Sequence, residues 1–252
     1  QFLTELIKPE FIYEKSLLPS RKEEGLNEQE GLLFGQLAEP LLIDEGGLKF
    51  KVYLRGTQKT GLFLDQREMR RLVQELAAGK KILDGFSYTG GFALAALKGR
   101  AAKVDLVDDS AQALAMAKEN MALNGFPVSS FRLIKQDMFD FLNKVTRLDY
   151  DLVILDPPAF AKKRADEKQA SRAYQRLNYL ALSKMKAASL LLTFSCSYYV
   201  NRELFQKIIF QAALQAGRRV RILSHHRQSF DHPVSVFHPE SDYLKGFLLY
   251  IS

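Results

Sequence analysis

Two runs of apolar residues in this sequence end in side chains that could carry out chemistry. The run SLLLTFSC at 189–196 ends at Cys196, the only cysteine of the chain, and the run YDLVILD at 150–156 ends at Asp156. A thiolate is a strong nucleophile, and a fixed carboxylate can accept hydrogen bonds from a planar heterocycle. Cys196 could therefore be a nucleophile held at the rim of a sheet. The alternative for Cys196 is a small apolar residue of the core.

The motif DPPAF continues the second run and predicts a rigid turn. Proline fixes its own φ and restricts the residue before it, so Pro157 and Pro158 should hold the Asp156 carboxylate and the Phe160 ring in a fixed relation. Such a turn could grip the edge of a base and stack on its face. The basic run KKR begins at Lys162 and could bind phosphates. The alternatives are a structural turn after a buried strand and a solvated basic loop.

Other strand-like runs end in a glycine turn or an acid. DGFSYTGGF spans 84–92, the run 102–108 ends at Asp108, and the run 131–137 ends at Asp137. Nucleotide-binding α/β units place a ribose-binding acid about 20 residues after their glycine turn, a spacing close to that from Gly90 to Asp108. Neither a full G-x-G-x-x-G nor a phosphate loop is present, so the turn predicts a phosphate-free adenosine cofactor, S-adenosylmethionine. The alternative is that Asp108 only caps the next helix.

Strand and helix patterns alternate from residue 61 onwards. Helical patterns at 110–125 and 201–217 open on the N-cap residues Ser110 and Asn201 and close on glycine. Apolar strands between helices predict an α/β, Rossmann-like fold with a mostly parallel sheet, whose carboxyl edge gathers the residues above. The predicted strands are 80–86, 102–108, 131–137, 150–156, 189–196, 218–226 and 245–252.

Residues 1–60 have a different pattern and predict a separate small β-rich (α+β) domain before the domain at 61–252. Their short apolar runs are broken by glycine and proline, and a hairpin turn is predicted at Gly46 and Gly47.

Composition restricts the partners. The net charge is +7, which permits a polyanion such as RNA, and no apolar run is long enough to cross a bilayer. A single cysteine fits a reducing cytoplasm. The histidines all fall within 225–238, in a spacing that matches no known set of metal ligands. We therefore expect a cytoplasmic protein that binds neither membrane nor metal. The charge alone fits an ordinary basic soluble protein as well as one that binds a polyanion.

The sequence resembles class I S-adenosylmethionine-dependent methyltransferases, and within them the RlmI-like family that methylates carbon 5 of cytosine in large-subunit (23S) ribosomal RNA. The resemblance extends over nearly the whole chain. It is carried by KTGLFLDQREMRR (59–71), GFSYTGGFALAALKGRA (85–101), VDDSAQALAMAKENMALNG (107–125), DPPAF (156–160), LLTFSCS (191–197) and DHPV…PESDYLKGF (231–247).

The resemblance implies a role for each matching position. Asp108 would bind the ribose hydroxyls, Asp137 the adenine amino group with Met138 against the ring, and the segments 63–67 and 85–91 would flank the methionine part of the cofactor. Cys196 and Asp156 would act on the target base, and Glu240 is favoured over Asp231, His232 and Asp242 as the base that removes the carbon-5 proton. The full cofactor set is Phe63, Asp65, Gln66, Arg67, Phe86, Ser87, Tyr88, Thr89, Gly90, Asp108, Asp109, Asp137, Met138 and Asp156; the substrate set is Pro157, Pro158, Phe160 and Lys162.

Two departures from the family bear on the RNA target. Family members usually carry an N-terminal RNA-binding PUA domain, which we expect this chain to lack, and the usual basic residue after DPP is Ala159 here. Alternative functions are a methyltransferase that acts on a guanine or adenine nitrogen, and a noncatalytic RNA-binding scaffold. A homodimer is a further arrangement that the sequence permits.

Overall fold

The computed structural model describes residues 2–17, 21, 24–55, 61–161, 163–238 and 241–252. They form two compact units: Gln1–Ile43 with Lys51–Leu62, and Asp44–Phe50 with Phe63–Ser252. The division into domains at 1–60 and 61–252 stays a prediction, because compact packing does not by itself define an independently folding domain.

Short antiparallel hairpins dominate the N-terminal part of the chain. The helix α1 (Phe2–Ile7) precedes β1 (Phe11–Ser16), which pairs with β2 (Gln29–Gly35). The strands β3 (Leu41–Glu45) and β4 (Leu48–Val52) form a second hairpin. Its turn residues Gly46 and Gly47 both have positive φ, 59° and 79°, as the tight turns that suit twisted strands require. The predicted hairpin is confirmed.

The larger unit is built on a seven-stranded sheet in the order β10-β11-β9-β8-β5-β6-β7. Six of these strands run in the same direction, and β11 runs in the opposite direction. The predicted α/β fold with a mostly parallel sheet is confirmed. Each predicted strand is present, with bounds shorter by up to two residues at an end. The strands are β5 (Lys81–Gly85), β6 (Lys103–Asp108), β7 (Phe131–Lys135), β8 (Leu152–Leu155), β9 (Ser189–Ser195), β10 (Val220–His226) and β11 (Lys245–Ile251).

Helices connect the strands and cover the sheet. Every residue of β8 is buried, which explains its unbroken apolar sequence LVIL. The largest side chains of the core on the side of β8 and β9 include Tyr174, Phe205 and Phe247, whose rings pack in series with centroids 5.4 and 5.6 Å apart. The helices are α2 (Arg67–Leu76), α3 (Gly91–Lys98), α4 (Ala111–Leu123), α5 (Met138–Lys144), α6 (Glu167–Lys184) and α7 (Arg202–Gln215).

Two kinds of feature are missing from the part of the chain that the structure describes. Each helix there is too short or too polar to cross a bilayer. The same residues hold no group of three or more His, Cys, Asp and Glu side chains arranged to bind a metal ion.

Candidate active site

The strand order brings the predicted chemical residues to one edge of the sheet. β9, β8, β5, β6 and β7 are consecutive neighbours, and all five run in the same direction. Their carboxyl ends lead in that order to Cys196, Asp156, the turn 86–90, Asp108 and Asp137. Ligands of open α/β sheets bind at this edge.

Cys196 follows β9 directly and is half-buried. Its Sγ lies 3.6 Å from the carbonyl oxygen of Pro157, to which the thiol donates. The next residue, Ser197, ties the two turns together, because its Oγ accepts a hydrogen bond from Ala161 N at 3.1 Å and lies 2.9 Å from the Tyr174 hydroxyl. The thiol is therefore held against the backbone of the DPPAF turn.

The turn after β5 has a strained backbone. Phe86, Tyr88 and Gly90 have φ values of 62°, 47° and 81°, in the left-handed region where residues other than glycine are rare. Hydrogen bonds fix this conformation, since Ser87 N donates to Val107 O and Gly90 N to Ser87 O. Strain of this kind persists only where the surroundings enforce it, and it is concentrated at functional sites.

Asp108 anchors this turn. Its Oδ2 accepts from Tyr88 N at 2.8 Å, and its Oδ1 from Ser110 N at 2.9 Å. The cap of α4 is Ser110, whose Oγ accepts from Ala113 N, so capping does not account for Asp108. Burial raises the pKa of Asp108, while the two amides act in the opposite direction. Each carboxylate oxygen keeps a second lone pair for a ligand. Asp109 points to solvent.

Asp84 is a residue of this edge that the sequence analysis did not include. It is fully buried in β5; its Oδ2 accepts from Ala93 N at 3.0 Å, and its Oδ1 has no hydrogen-bond partner among the described residues. Burial raises its pKa well above the ordinary value, and the nearby charges of Asp156 and Asp108 act in the same direction. The available signal was an acid inside the apolar strand KILDG.

The segment 63–67 reaches both the glycine turn and the DPPAF turn. The Phe63 and Tyr88 rings meet edge to face at 5.4 Å, and Gln66 Nε2 donates to Asp156 Oδ1 at 3.0 Å. Arg70, also absent from the predicted set, holds this segment in place. Its guanidinium donates to Phe63 O at 2.8 Å and to both carboxylate oxygens of Glu45 at 2.6 Å.

Residues between 229 and 243 also bind the segment 63–67. The carbonyl of Asp65 accepts from both the amide and the hydroxyl of Ser229, at 2.9 Å each, and its carboxylate accepts from the Tyr243 hydroxyl at 2.6 Å. Arg67 pairs with Asp231 at 3.2 Å and lies 5.0 Å from the centre of the Phe230 ring. Asp65 and Arg67 are thus already engaged by protein groups.

The remaining predicted residues have mixed surroundings. Asp137 is exposed and caps α5 by accepting from Asp140 N at 3.0 Å, while Met138 is buried. The partly buried Phe160 ring packs against the core, with its centre 4.6 Å from that of Tyr174 and 6.1 Å from that of Phe139, so stacking on a base stays a prediction. Thr89 and Pro157 are buried and Pro158 is exposed. Lys162 and Glu240 lie outside the described residues.

Curated proteins of known name are similar to this chain in sequence. The protein from Aeromonas salmonicida called ribosomal RNA large subunit methyltransferase I is 43% identical over 241 residues, which are 94% of this chain and 61% of that protein. The protein of the same name from Klebsiella pneumoniae is 42% identical over 94% of this chain and 60% of its own length. The chain thus spans about three fifths of the length of these curated relatives.

Solved structures share the fold. SMU.776, described as a methyltransferase and complexed with SAH, superimposes with a TM-score of 0.79 and 30% identity over 87% of this chain and 58% of that chain. A tRNA m1G37 methyltransferase from M. jannaschii gives a TM-score of 0.62 at 15% identity over 100% of this chain and 66% of that chain, a likeness of fold alone.

The family comparison covers most of the molecule. Residues 27–192 match the family described as S-adenosylmethionine-dependent methyltransferase. That stretch holds the strained turn, Asp108, Asp137 and the DPPAF motif, and it stops just before Cys196. By this match, the chain belongs to the family of S-adenosylmethionine-dependent methyltransferases.

Proposed function

We propose that this chain methylates carbon 5 of a cytosine in large-subunit ribosomal RNA, with S-adenosylmethionine as the methyl donor and Cys196 as a covalent nucleophile. The observation that carries the proposal is the contact of 3.6 Å between Cys196 Sγ and Pro157 O. A sulfur nucleophile and the turn proposed to hold the base thus share the edge at which this family's fold binds ligands. The names of the curated relatives support the ribosomal RNA substrate.

The residues at this edge fit a cationic nucleoside cofactor. Asp84 Oδ1, Ser87 Oγ and Gln66 Oε1 are buried without a hydrogen-bond partner among the described residues, so a polar ligand would satisfy groups that the protein leaves open. Asp84, Asp108 and Asp156 are close enough to interact electrostatically, which suits a positive charge. S-adenosylmethionine supplies a methyl group on a positively charged sulfur. Asp108 would hold its ribose and Asp137, with Met138, its adenine.

Cys196 would make carbon 5 of the base reactive. The thiolate forms a bond to carbon 6, and the electron pair of the carbon 5–carbon 6 double bond moves to carbon 5, which becomes nucleophilic. Asp156 would donate or share a proton at ring N3, which stabilises the adduct. Carbon 5 would take the methyl group as the bond from that group to the cofactor sulfur breaks, which leaves neutral S-adenosylhomocysteine. A base then removes the carbon-5 proton, the double bond forms again and the thiolate leaves. Glu240 remains our proposal for that base.

The RNA substrate should present an unstacked cytosine. A base inside a helix is closed to attack at carbon 6, so single-stranded or locally opened RNA is required. The basic residues Lys163 and Arg164 follow the DPPAF turn and would contact the phosphates of the RNA.

Mass spectrometry of nucleosides tests the reaction. Ribosomal RNA incubated with the protein and methyl-labelled S-adenosylmethionine should yield labelled 5-methylcytidine, and Cys196→Ala should abolish it while cofactor affinity by calorimetry stays within about twofold. Ser183→Ala on α6 is the control and should keep full activity. Label on a guanine or adenine nitrogen, or a fully active Cys196→Ala, would reject the cysteine route. No cofactor binding by the wild type would instead favour the RNA-binding scaffold.

We also propose a cytoplasmic location, because a single cysteine fits a reducing compartment and unassembled ribosomal RNA is found there. Self-association as a homodimer stays a prediction that light scattering of the purified chain can test.

A further inference from the structure

Lys245 is a buried cation beside Cys196. It begins β11 and is only 2% exposed. In the sheet it pairs with Ser195, and its Nζ donates to the carbonyl of Ser197 at 2.6 Å and to that of Tyr243 at 2.7 Å. Lys245 thus contacts both neighbours of Cys196 in the chain: it pairs with Ser195 in the sheet and donates to the carbonyl of Ser197.

The ammonium is held by neutral groups. Both of these hydrogen-bond acceptors are backbone carbonyls, and among the described residues no carboxylate oxygen lies within 4 Å of Nζ. A buried charge without a paired opposite charge is costly, so its retention points to a negative partner that forms at some stage of function. The Cys196 thiolate is such a partner.

The other charged groups around Lys245 do not replace this partner. Burial lowers the pKa of Lys245 to about 8, Arg202 acts in the same direction, and Cys196 and then Asp242 act against it. Arg202 and Asp242 approach each other to 4.0 Å. Tyr174 and Tyr243 also interact with Cys196, but their raised pKa values keep them neutral near pH 7. Lys245 itself remains mostly protonated there.

We propose that Lys245 is a positioning residue whose ammonium stabilises the Cys196 thiolate and so prepares it for attack. The thiol proton leaves to solvent, and Lys245 keeps its own. The catalytic meaning of this pair rests on the proposed function, whereas the pair itself can be tested without RNA or cofactor.

Alkylation by iodoacetamide provides the test, because Cys196 is the only thiol in the chain. An opposite charge nearby shifts a pKa by roughly 1–3 units, so in Lys245→Met the pH of half-maximal alkylation should rise by at least about one unit and the rate at pH 7 should fall about tenfold. Lys184→Met is the matched control, since Lys184 also donates to two backbone carbonyls, those of Leu142 and Asn143, on another part of the domain. Circular dichroism verifies that each variant is folded.

An unchanged alkylation profile in folded Lys245→Met, or an equal shift in Lys184→Met, would overturn the proposal. Should Lys245→Met not fold, the reciprocal measurement decides. In Cys196→Ala, the NMR titration midpoint of the Lys245 amine should fall below the midpoint measured for the wild type, because Cys196 acts to raise the pKa of Lys245. An identical midpoint in both proteins contradicts the pair. Failure of the methylation reaction alone leaves both of these results unaffected, so the two proposals can fail separately.

Discussion

Asp84 and Asp108 lie on neighbouring strands but differ in what their surroundings permit. Asp108 ends β6, is half-buried and binds two backbone amides, so its carboxylate can meet a ligand. Asp84 is fully buried in β5, and one of its oxygens has no partner among the described residues. Asp108 is therefore suited to binding a ligand, whereas Asp84 makes the stability of the fold depend on pH.

Asp108→Ala should weaken the binding of S-adenosylmethionine about 10- to 100-fold. It removes hydrogen bonds to a charged group, each of which contributes roughly 1.5–3 kcal/mol, and it releases the Tyr88 amide from its acceptor. Isothermal titration calorimetry measures the change. Asp149→Ala removes an exposed carboxylate near the amino ends of the strands and should leave the affinity within about twofold. Equal losses in both variants would contradict a ribose site at Asp108.

Asp84→Asn should raise the melting temperature at pH 7.5 more than at pH 5. Because burial raises the pKa of Asp84, the folded state holds this proton more tightly than the unfolded state does, and stability falls as the pH rises from the unfolded pKa towards the folded one. Asparagine has no charge to bury and keeps an oxygen to accept from Ala93 N. Differential scanning fluorimetry at both pH values measures the effect.

Asp149→Asn is the control for this pH effect. Hydrogen bonds from Lys81 and Lys186 lower the pKa of Asp149, so its ionised form is favoured in the folded state and its loss should give no increase at pH 7.5. A gain for Asp84→Asn that is the same at both pH values would show that charge burial is not its cause.

At the scale of elements, the turn 86–90 and the start of α3 form one rigid unit. Gly90 is the N-cap of α3, in the left-handed conformation. A Cβ added there would lie 3.1 Å from the Ala117 Cβ and 3.3 Å from a methyl carbon of Leu106, so both conformation and space require glycine. This packing joins the turn to α4 and β6.

Gly90→Ala should lower the free energy of unfolding by more than Gly125→Ala does. Both glycines have positive φ, and alanine there costs roughly 1–2 kcal/mol, but a Cβ at Gly125 meets nothing within 4 Å. Urea unfolding gives both values, and calorimetry should show weakened cofactor binding for Gly90→Ala alone. Equal destabilisation would mean that α4 moves to accommodate the added methyl group.

The sequence predicts the strands well, because a strand buried on both faces must be apolar throughout. It also predicts the edge that collects Cys196, Asp156 and Asp108, since that follows from parallel order. It does not predict that β11 inserts between β10 and β9, or that Gln66 meets Asp156 across 90 residues. Those contacts depend on tertiary packing, and polar side chains such as Arg70, Asp84 and Lys245 carry no periodic pattern that marks them as buried.

The whole molecule carries a net charge of +7. On a polyanion this excess contributes affinity without sequence preference, through release of counterions. The position of the charges then determines which face the RNA contacts. Lys163 and Arg164 lie beyond the carboxyl end of β8, whereas Lys80 and Lys103 lie at the amino ends of β5 and β6.

The affinity for single-stranded RNA should fall about tenfold or more between 50 and 200 mM salt, the loss expected for about three phosphate contacts. Replacing Lys163 and Arg164 with alanine should weaken binding and reduce this salt dependence. Replacing Lys80 and Lys103 with alanine removes the same charge and should change binding much less. Fluorescence anisotropy with a labelled oligonucleotide measures all three proteins, and equal effects of the two double variants would mean that net charge alone governs binding.

The place of β11 has a consequence for synthesis of the chain. Among the strands that the structure describes, it is the last that a ribosome makes, yet it lies inside the sheet. A nascent chain must therefore keep β9 and β10 apart until translation has delivered β11. Lys245 arrives with that strand, so the charge that we propose to stabilise the Cys196 thiolate would be in place only after β11 has paired with β9.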